Sequence, residues 1–252
     1  MSKIINNETN YIYGKNPVKE ALKIINKGVL FVQNNVTNPS IKELLDEAKT
    51  KNIEISFVDK EYFIKYFGDK NHQGIVLKTE EDVNKVLSEE DFIRKIEEST
   101  DIKELTVILD GIKDVGNLGA ILRSSLLFNV KYVVLPKDNS APINDVVIKR
   151  SSGAVNLLDI VYVTNITRTI EFLKANNYWV YAADKDGEKL SGVKFSDKAC
   201  IVFGEEGRGI RPLVKRNCDV SITIPTNNKI DSLNLSVSVG IVLYELNKTY
   251  CL

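Results

Sequence analysis

From residue 105 onward the sequence is punctuated by short apolar runs of four to six residues, and these constrain the fold more than any other feature. Leu105–Leu109, Tyr132–Leu135, Ile160–Val163, Tyr178–Ala182 and Cys200–Phe203 are such runs, Val220–Ile224 reads as a further strand, and helical patterns lie between most of them. A strand covered on one face alternates apolar with polar residues; one that is apolar throughout needs cover on both faces. Runs of this kind alternating with helices predict an α/β domain built on a parallel sheet. Helices are read from about Asn117 to Phe128, Asn144 to Arg150 and Ile166 to Ala175. Leu233–Leu246 begins with strand-like alternation (Leu233, Leu235, Val237, Val239), but its length and the later Ile241, Leu243, Tyr244 and Leu246 favour a buried helix.

The first 78 residues alternate differently. Asn16-Pro17 opens a helix running to about Ile25, with proline at a first-turn position where its missing N–H does no harm. Val29–Val32 reads as a strand, and Ser40–Lys51 carries Ile41, Leu44, Leu45 and Ala48 as a helical stripe. Ile53–Val58 is a strand, Glu61–Phe67 a short helix and Gly74–Leu77 a closing strand. After Thr79 the composition turns acidic, and Ser88 followed by Asp91 starts an amphipathic helix with Phe92, Ile93 and Ile96. The expected organisation is a small α/β domain over 10–78, an acidic linker and entry helix over 79–104, and the parallel-sheet domain over 105–252. Residues 1–78 hold 12 Lys/Arg against 9 Asp/Glu, residues 79–105 hold 4 against 10, and residues 106–252 hold 18 against 15. A net charge of zero therefore hides two mildly basic bodies around an acidic connector, which permits RNA binding without requiring it.

Hydrophobic residues make up 43% of the chain, enough for packed cores, and no segment approaches the roughly 20 apolar residues of a membrane span. The polar N-terminus, MSKIINNETN, lacks the apolar stretch of a secretory signal. Cys200, Cys218 and Cys251 are odd in number and lack metal-ligand spacing, so a reduced, cytoplasmic protein without a metal site is expected. His72 is the only histidine and stands apart from the glycine-rich segments, which argues against a serine–histidine nucleophile there.

Three segments carry the chemistry. In Gly204–Gly209 (GEEGRG) the glycines follow an apolar run, where they allow a tight turn and close backbone approach. Their spacing is not that of a dinucleotide fingerprint, and Glu205 and Glu206 would repel a phosphate, so a cationic or polar ligand suits the loop better. In Asn117–Arg123 (NLGAILR), Asn117 is expected at the helix cap and Gly119 where another backbone comes close. Arg123 is the one charge on an apolar helix, either a surface arginine or a part-buried one with Glu206 as candidate partner. Ser232 and Asn234 stand at the start of the last helix, where either can act as a plain cap or as a site residue.

At these residues the chain resembles the SpoU (TrmH-like) family of RNA ribose 2′-O-methyltransferases. NLGAILR is similar to that family's first motif, GEEGRG to its second and IPTNNKIDSLNLS to its third, in the same order, over about Leu105 to Leu246. YGKNPVKEAL (Tyr13–Leu22) and NHQGIV (Asn71–Val76) are similar to its ribosomal-protein-like substrate-binding domain. The two-domain form most resembles enzymes that modify a guanosine of 23S ribosomal RNA, and transfer-RNA methylases share the core. The resemblance implies a SPOUT domain with a deep trefoil knot, an exception to the usual absence of knots. It also implies a homodimer and S-adenosylmethionine as cofactor. By motif position it implies Asn117, Arg123, Glu206, Ser232 and Asn234 as catalytic residues, and Gly204, Ile224 and Leu233 as cofactor contacts made largely through backbone. One departure is Asn227-Asn228-Lys229, where the family usually carries a small residue or glycine.

The implied chemistry moves a methyl group from a sulfonium to a ribose hydroxyl that must lose its proton. A guanidinium does not deprotonate in a protein. Arg123 is therefore expected to stabilise the developing alkoxide, with Glu206 or water taking the proton, or with Glu206 orienting Arg123. RNA is the expected partner, ribosomal RNA first and transfer RNA as the alternative, with no membrane and no metal. Lys149, Arg150, Arg168, Arg208, Arg211, Lys215 and Arg216, together with Tyr13, Lys15 and His72-Gln73, are candidate RNA contacts. The competing reading is a non-catalytic RNA-binding ribosome-assembly factor. Retention of Arg123, Glu206 and Asn234 together speaks against it.

Overall fold

The computed structural model describes residues 10–34, 39–68, 70–79, 86–227 and 232–250; Asn228, Lys229 and Cys251, which figure in the sequence reading, lie outside them. The chain divides into two compact units, 1–84 and 85–252.

The first unit runs β1 (Asn10–Tyr13), α1 (Lys15–Ile24), β2 (Val29–Gln33), α2 (Pro39–Thr50), β3 (Glu54–Val58), α3 (Lys60–Phe67) and β4 (Ile75–Thr79). Its strands are ordered β1-β4-β2-β3, with β2 and β3 parallel and the other pairs antiparallel. Period-two alternation decides the packing. Leu30 and Val32 of β2 and Ile75 and Leu77 of β4 join Val18 and Leu22 of α1 and Ile41 and Leu44 of α2 in one apolar cluster. Phe31 and Val76, on the other face, meet Phe63 and Phe67 of α3. The sequence reading missed β1. Four residues carry too little pattern, and the strand exists because it pairs with β4 from Asn10↔Thr79 to Tyr13↔Val76.

The second unit runs β5 (Val86–Leu87), α4 (Glu89–Glu97), β6 (Glu104–Asp110), α5 (Val115–Leu127), β7 (Tyr132–Pro136), α6 (Asp145–Arg150), β8 (Asp159–Val163), α7 (Ile166–Ala175), β9 (Trp179–Lys189), β10 (Lys198–Gly204), α8 (Pro212–Asn217), β11 (Val220–Thr223) and α9 (Leu235–Tyr250). Among the described residues, seven strands form one sheet in the order β11-β9-β10-β6-β7-β8-β5, and every pairing is parallel. Both faces are covered, as the uninterrupted apolar runs require. Val107 and Leu109 of β6 pack with Leu118, Ile121 and Leu122 of α5 and with Val239, Leu243 and Leu246 of α9. On the opposite face Ile108 clusters with Phe92 and Ile96 of α4 and with Ile170 and Leu173 of α7.

Ser88 caps α4, its Oγ accepting from the Asp91 N–H. Since Phe92 and Ile96 sit in the core cluster and β5 pairs with β8, residues 86–104, within the 79–104 stretch read from sequence as acidic linker and entry helix, pack as part of the second unit. The last segment is helical from Leu235 to Tyr250, which settles its ambiguity. β9 continues well past Ala182 through the polar residues Asp184–Lys189, because that half pairs with β11 across a register shift between Ser221 and Ile222.

The N-terminal edge of this sheet holds a polar clamp. Glu104 is buried at the start of β6, accepts from Ser99 and Tyr178, and lies 2.7 Å from Lys131 Nζ, which also meets Asp101 at 2.8 Å. Burial opposes ionisation of Glu104, but the hydrogen bonds from Lys131, Ser99 and Tyr178 outweigh it and hold the carboxyl below its usual range. Among the described residues no helix is long and apolar enough to cross a membrane.

Candidate active site

β6 lies where the strand order reverses, with β7 and β8 on one side and β10, β9 and β11 on the other. Loops leaving the carboxyl ends of strands at such a point frame a crevice. The three singled-out segments fall there: NLGAILR in α5 after β6, GEEGRG from the last residue of β10 onward, and SLNLS from the β11–α9 connection into the first turn of α9.

Each is shaped by local chemistry. Asp114 rather than Asn117 caps α5, its Oδ1 accepting from the Asn117 N–H at 2.6 Å. Asn117 is thus in the first turn, buried, with its side chain released for other partners. The expected cap was misplaced because a carboxylate three residues earlier competes better for the positive helix end. A Cβ on Gly119 would stand 2.6 Å from Arg150 Cβ and 3.1 Å from the Val147 carbonyl oxygen, so glycine is what lets α6 lie against α5. Gly204 is under a stronger constraint: a Cβ there would be 2.0 Å from the Gly209 carbonyl carbon. The loop folds back on the strand that launched it, closed by the Gly209 N–H bonding to the Glu205 carbonyl at 2.8 Å.

That fold-back presents Glu206 to the other two segments. Its Oε1 accepts from Asn117 Nδ2 at 3.0 Å, Asn234 Nδ2 at 3.2 Å and the Leu235 N–H at 3.3 Å. Asn234 Nδ2 also reaches Asn117 Oδ1 at 3.0 Å. Asn234 Oδ1 faces the other way and caps α9, accepting from the Ser236 N–H at 3.0 Å, Ser236 Oγ at 2.6 Å and the Val237 N–H at 3.4 Å. Three segments far apart in sequence are thereby tied through one carboxylate oxygen and two amides.

Arg123 is not part of this knot of bonds. It is exposed, its Nη1 donates to Ser152 Oγ at 3.2 Å, and among the described residues it forms no ion pair with Glu206, correcting the partner suggested by sequence. The helix explains this: six residues advance about 9 Å and turn about 240° past a full turn, so Asn117 and Arg123 occupy different faces at different heights. Ser232 is exposed, and no hydrogen bond joins it to the described residues. Gly204 ends β10, Ile224 directly follows β11 and is half-buried, and Leu233 stands exposed two residues before α9.

Two anchors beneath the loop were not read from sequence. Asp110, buried at the end of β6, accepts from the Arg211 N–H at 2.9 Å and from Arg211 Nε at 2.7 Å, fixing the exit of the glycine loop. Lys113 pairs with Glu205 at 2.9 Å, and this hydrogen bond draws the Glu205 carboxyl below its ordinary value. The signal available was a lone aspartate closing an apolar run, LTVILD. Arg211 and Lys215, expected at RNA phosphates, are engaged by Asp110 and Asp184. His72 accepts from the Gly74 N–H at Nδ1 (3.0 Å) and lies 4.5 Å from the Phe63 ring, a structural placement. Cys200 is buried, and burial raises the thiol of Cys218 to about 12. Among the described residues no group of three or more His, Cys, Asp or Glu is arranged to hold a metal ion.

The comparisons with known proteins bear on both units. The model of the SpoU rRNA methylase family matches residues 104–244, and that for RNA 2′-O ribose methyltransferase substrate binding matches residues 11–82. The chain is 37% identical over 215 residues, 84% of its own length and 94% of the relative's, to an uncharacterized tRNA/rRNA methyltransferase of Borreliella burgdorferi. It is 35% identical over 240 residues, 94% of each chain, to the 23S rRNA (guanosine-2′-O-)-methyltransferase RlmB of Neisseria meningitidis serogroup B. In fold it is similar to the SpoU methyltransferase AviRb of Streptomyces viridochromogenes, solved in complex with AdoMet, with a TM-score of 0.74 at 18% identity over 96% of this chain and 90% of that one. With both units matched and the three segments joined at one sheet edge, the chain belongs to the SpoU rRNA methylase family.

Proposed function

We propose that this protein transfers the methyl group of S-adenosylmethionine to the ribose 2′-hydroxyl of a nucleotide in RNA, a guanosine of 23S ribosomal RNA first and transfer RNA as the second target class. The observation that carries the reading is the convergence of Asn117, Glu206 and Asn234 at the carboxyl edge of the parallel sheet. Three N–H groups fix Oε1 of Glu206, while among the described residues Oε2 accepts no hydrogen bond and is available to a substrate hydroxyl.

The donor set suits the cofactor. The glycine loop offers backbone groups and carboxylates rather than the lysine cradle a triphosphate needs, and Glu205 is already countered by Lys113. When bound, S-adenosylmethionine supplies a methyl carbon activated by its sulfonium. Gly204, Ile224 and Leu233 would hold it, largely by backbone. In this reading Glu206 accepts or orients the hydroxyl proton, and Asn117 and Asn234 hold the carboxylate in place. Arg123, without a carboxylate partner among the described residues, stabilises the developing alkoxide or grips the adjacent phosphate, and Ser232 binds the ribose. Since positioning is worth roughly 7–11 kcal/mol in such displacements, a rigid acceptor matters more than a strong base.

The same reading includes a deep trefoil knot in the second unit, a cytoplasmic location and a homodimer. Val237, Ile241 and Tyr244 form an exposed apolar stripe at helical spacing on α9, and exposed Leu127 ends the α5 that packs against it. The test is transfer of radiolabelled methyl to 23S ribosomal RNA and to transfer RNA in parallel. Labelling of neither RNA overturns the proposal. Arg123→Ala and Arg123→Lys are expected to lose transfer by at least about 10²-fold at unchanged cofactor affinity; weakened cofactor binding with turnover intact removes Arg123 from its role.

A further inference from the structure

The α3 face of the first unit holds more aromatic surface than its core uses. Phe63 and Phe67 point inward one turn apart and are buried against Val76. Tyr62 and Tyr66, also one turn apart, lie to the side with ring centroids 4.4 Å from each other. Phe31 of β2 stacks on Tyr62 at 5.7 Å with an interplanar angle of 24°. The three rings form a ladder that starts half-buried at the sheet and ends in solvent at Tyr66, which is 57% exposed. Lys65 Nζ stands over the Tyr66 ring, 5.1 Å from its centroid, and across Phe67 Lys70 Nζ stands over the Tyr13 ring at 5.6 Å. The cations placed against these rings are Lys65 and Lys70, while the carboxylates of Asp59 and Glu61 lie at the start of α3, away from the Tyr66 end.

The exposed Tyr66 ring ends a row of aromatics, tilted 38° to Tyr62, with the Lys65 ammonium over it; a nucleotide matches both groups, its base taking the π-face as the ammonium swings to the phosphate. In duplex RNA the base faces are occupied by their neighbours, so only an unpaired base can complete the ladder. We propose that Tyr66, backed by Tyr62 and Phe31 and flanked by Lys65, is a stacking platform for an unpaired base of the RNA that the protein methylates. The proposal rests on the RNA-methylating reading and names the surface with which the first unit grips that substrate.

The test uses the full chain, with fluorescein-labelled 12-nucleotide oligo(A) and a 12-base-pair RNA duplex as probes. Tyr66→Ala is expected to weaken oligo(A) binding about 5- to 150-fold, the ~1–3 kcal/mol of one stacked base at 1.4 kcal/mol per tenfold, and to leave duplex binding unchanged. Tyr66→Phe retains the affinity, and so does Ile64→Ala, an equally exposed side chain on the same helix without a ring (60% exposed). Lys65→Gln lowers the number of ions released on binding by about one, whereas Tyr66→Ala does not. Equal affinity of Tyr66→Ala and wild type for oligo(A) overturns the platform. So does a change in oligomeric state with RNA affinity intact, which would make this face a protein contact. Methyl transfer by wild type is read separately: unaltered oligo(A) affinity in Tyr66→Ala beside an active enzyme removes the platform alone, while an inactive wild type removes the catalytic reading and leaves the binding result to stand.

Discussion

Asn234 does two things with one side chain. Its Oδ1 caps α9, and its Nδ2 ties Glu206 to Asn117. The cap and the site are separable by substitution. Serine caps a helix as well as asparagine but is too short to reach the carboxylate. Asn234→Ser is therefore expected to keep unfolding stability within about 0.5 kcal/mol while methyl transfer falls about 10²-fold through misplacement of Glu206; equal losses in melting and turnover would mean the cap is its whole role. His72 gives a second test at this scale. Burial lowers its pKa from the ordinary 6.5, and its Nδ1 accepts a hydrogen bond, so the fold favours the neutral ring. Its contribution to stability is then complete above pH 6.5 and is lost as the pH falls through the lowered value. Melting at pH 7.5 and pH 5 should show a larger acid loss for wild type than for His72→Asn; identical losses contradict it. Sequence made Asn234, Glu206 and Asn117 candidates by residue type and motif. It could not say that Asp114 takes the cap or that Arg123 bonds Ser152, because both depend on which face a helix turns outward.

At the scale of elements, the two edges of the parallel sheet do opposite things. The amino edge buries Glu104 and Tyr178 and ties them to half-buried Lys131, with Ser99 and Asp101 as further partners. The carboxyl edge leaves polar groups facing solvent around the glycine loop. Lys131 is half-buried and Glu104 keeps its bonds from Ser99 and Tyr178, so Lys131→Met is expected to destabilise the protein by roughly 1–3 kcal/mol in denaturant unfolding; no measurable change would show that Glu104 is satisfied without it. At the other edge Gly204→Ala cannot keep the fold-back of the loop, since the new Cβ would overlap the Gly209 backbone. Forced overpacking of this kind costs roughly 1–3 kcal/mol. Because the loop carries Glu206, cofactor binding and turnover should be lost at temperatures where circular dichroism still reports a folded chain. Strand and helix positions were legible where patterns were long: the apolar runs mark β6, β7, β8 and β10 because both faces of each are buried. β1, β5, α8 and the polar half of β9 were not, since each is short or polar and takes its conformation from the element beside it.

For the whole molecule, the apolar stripe of Val237, Ile241 and Tyr244 bears on association, since leaving it in water gains nothing. Ile241→Asp should convert a dimer to monomers in analytical ultracentrifugation and lower activity with it; a wild type that sediments as a monomer at micromolar concentration sinks the homodimer. Sequence by itself determined the α/β class, the parallel sheet and the presence of a separate N-terminal unit, because burial imposes a period on each segment that neighbours in sequence record. It also marked the three glycine- and amide-bearing segments, whose composition no core requires. Only the tertiary structure decided that one oxygen of Glu206 joins all three, that Arg123 stands off from them, and that the acidic stretch after residue 85 belongs to the second unit. These are distances between residues remote in the chain, and a one-dimensional pattern records what a residue needs without recording which partner supplies it.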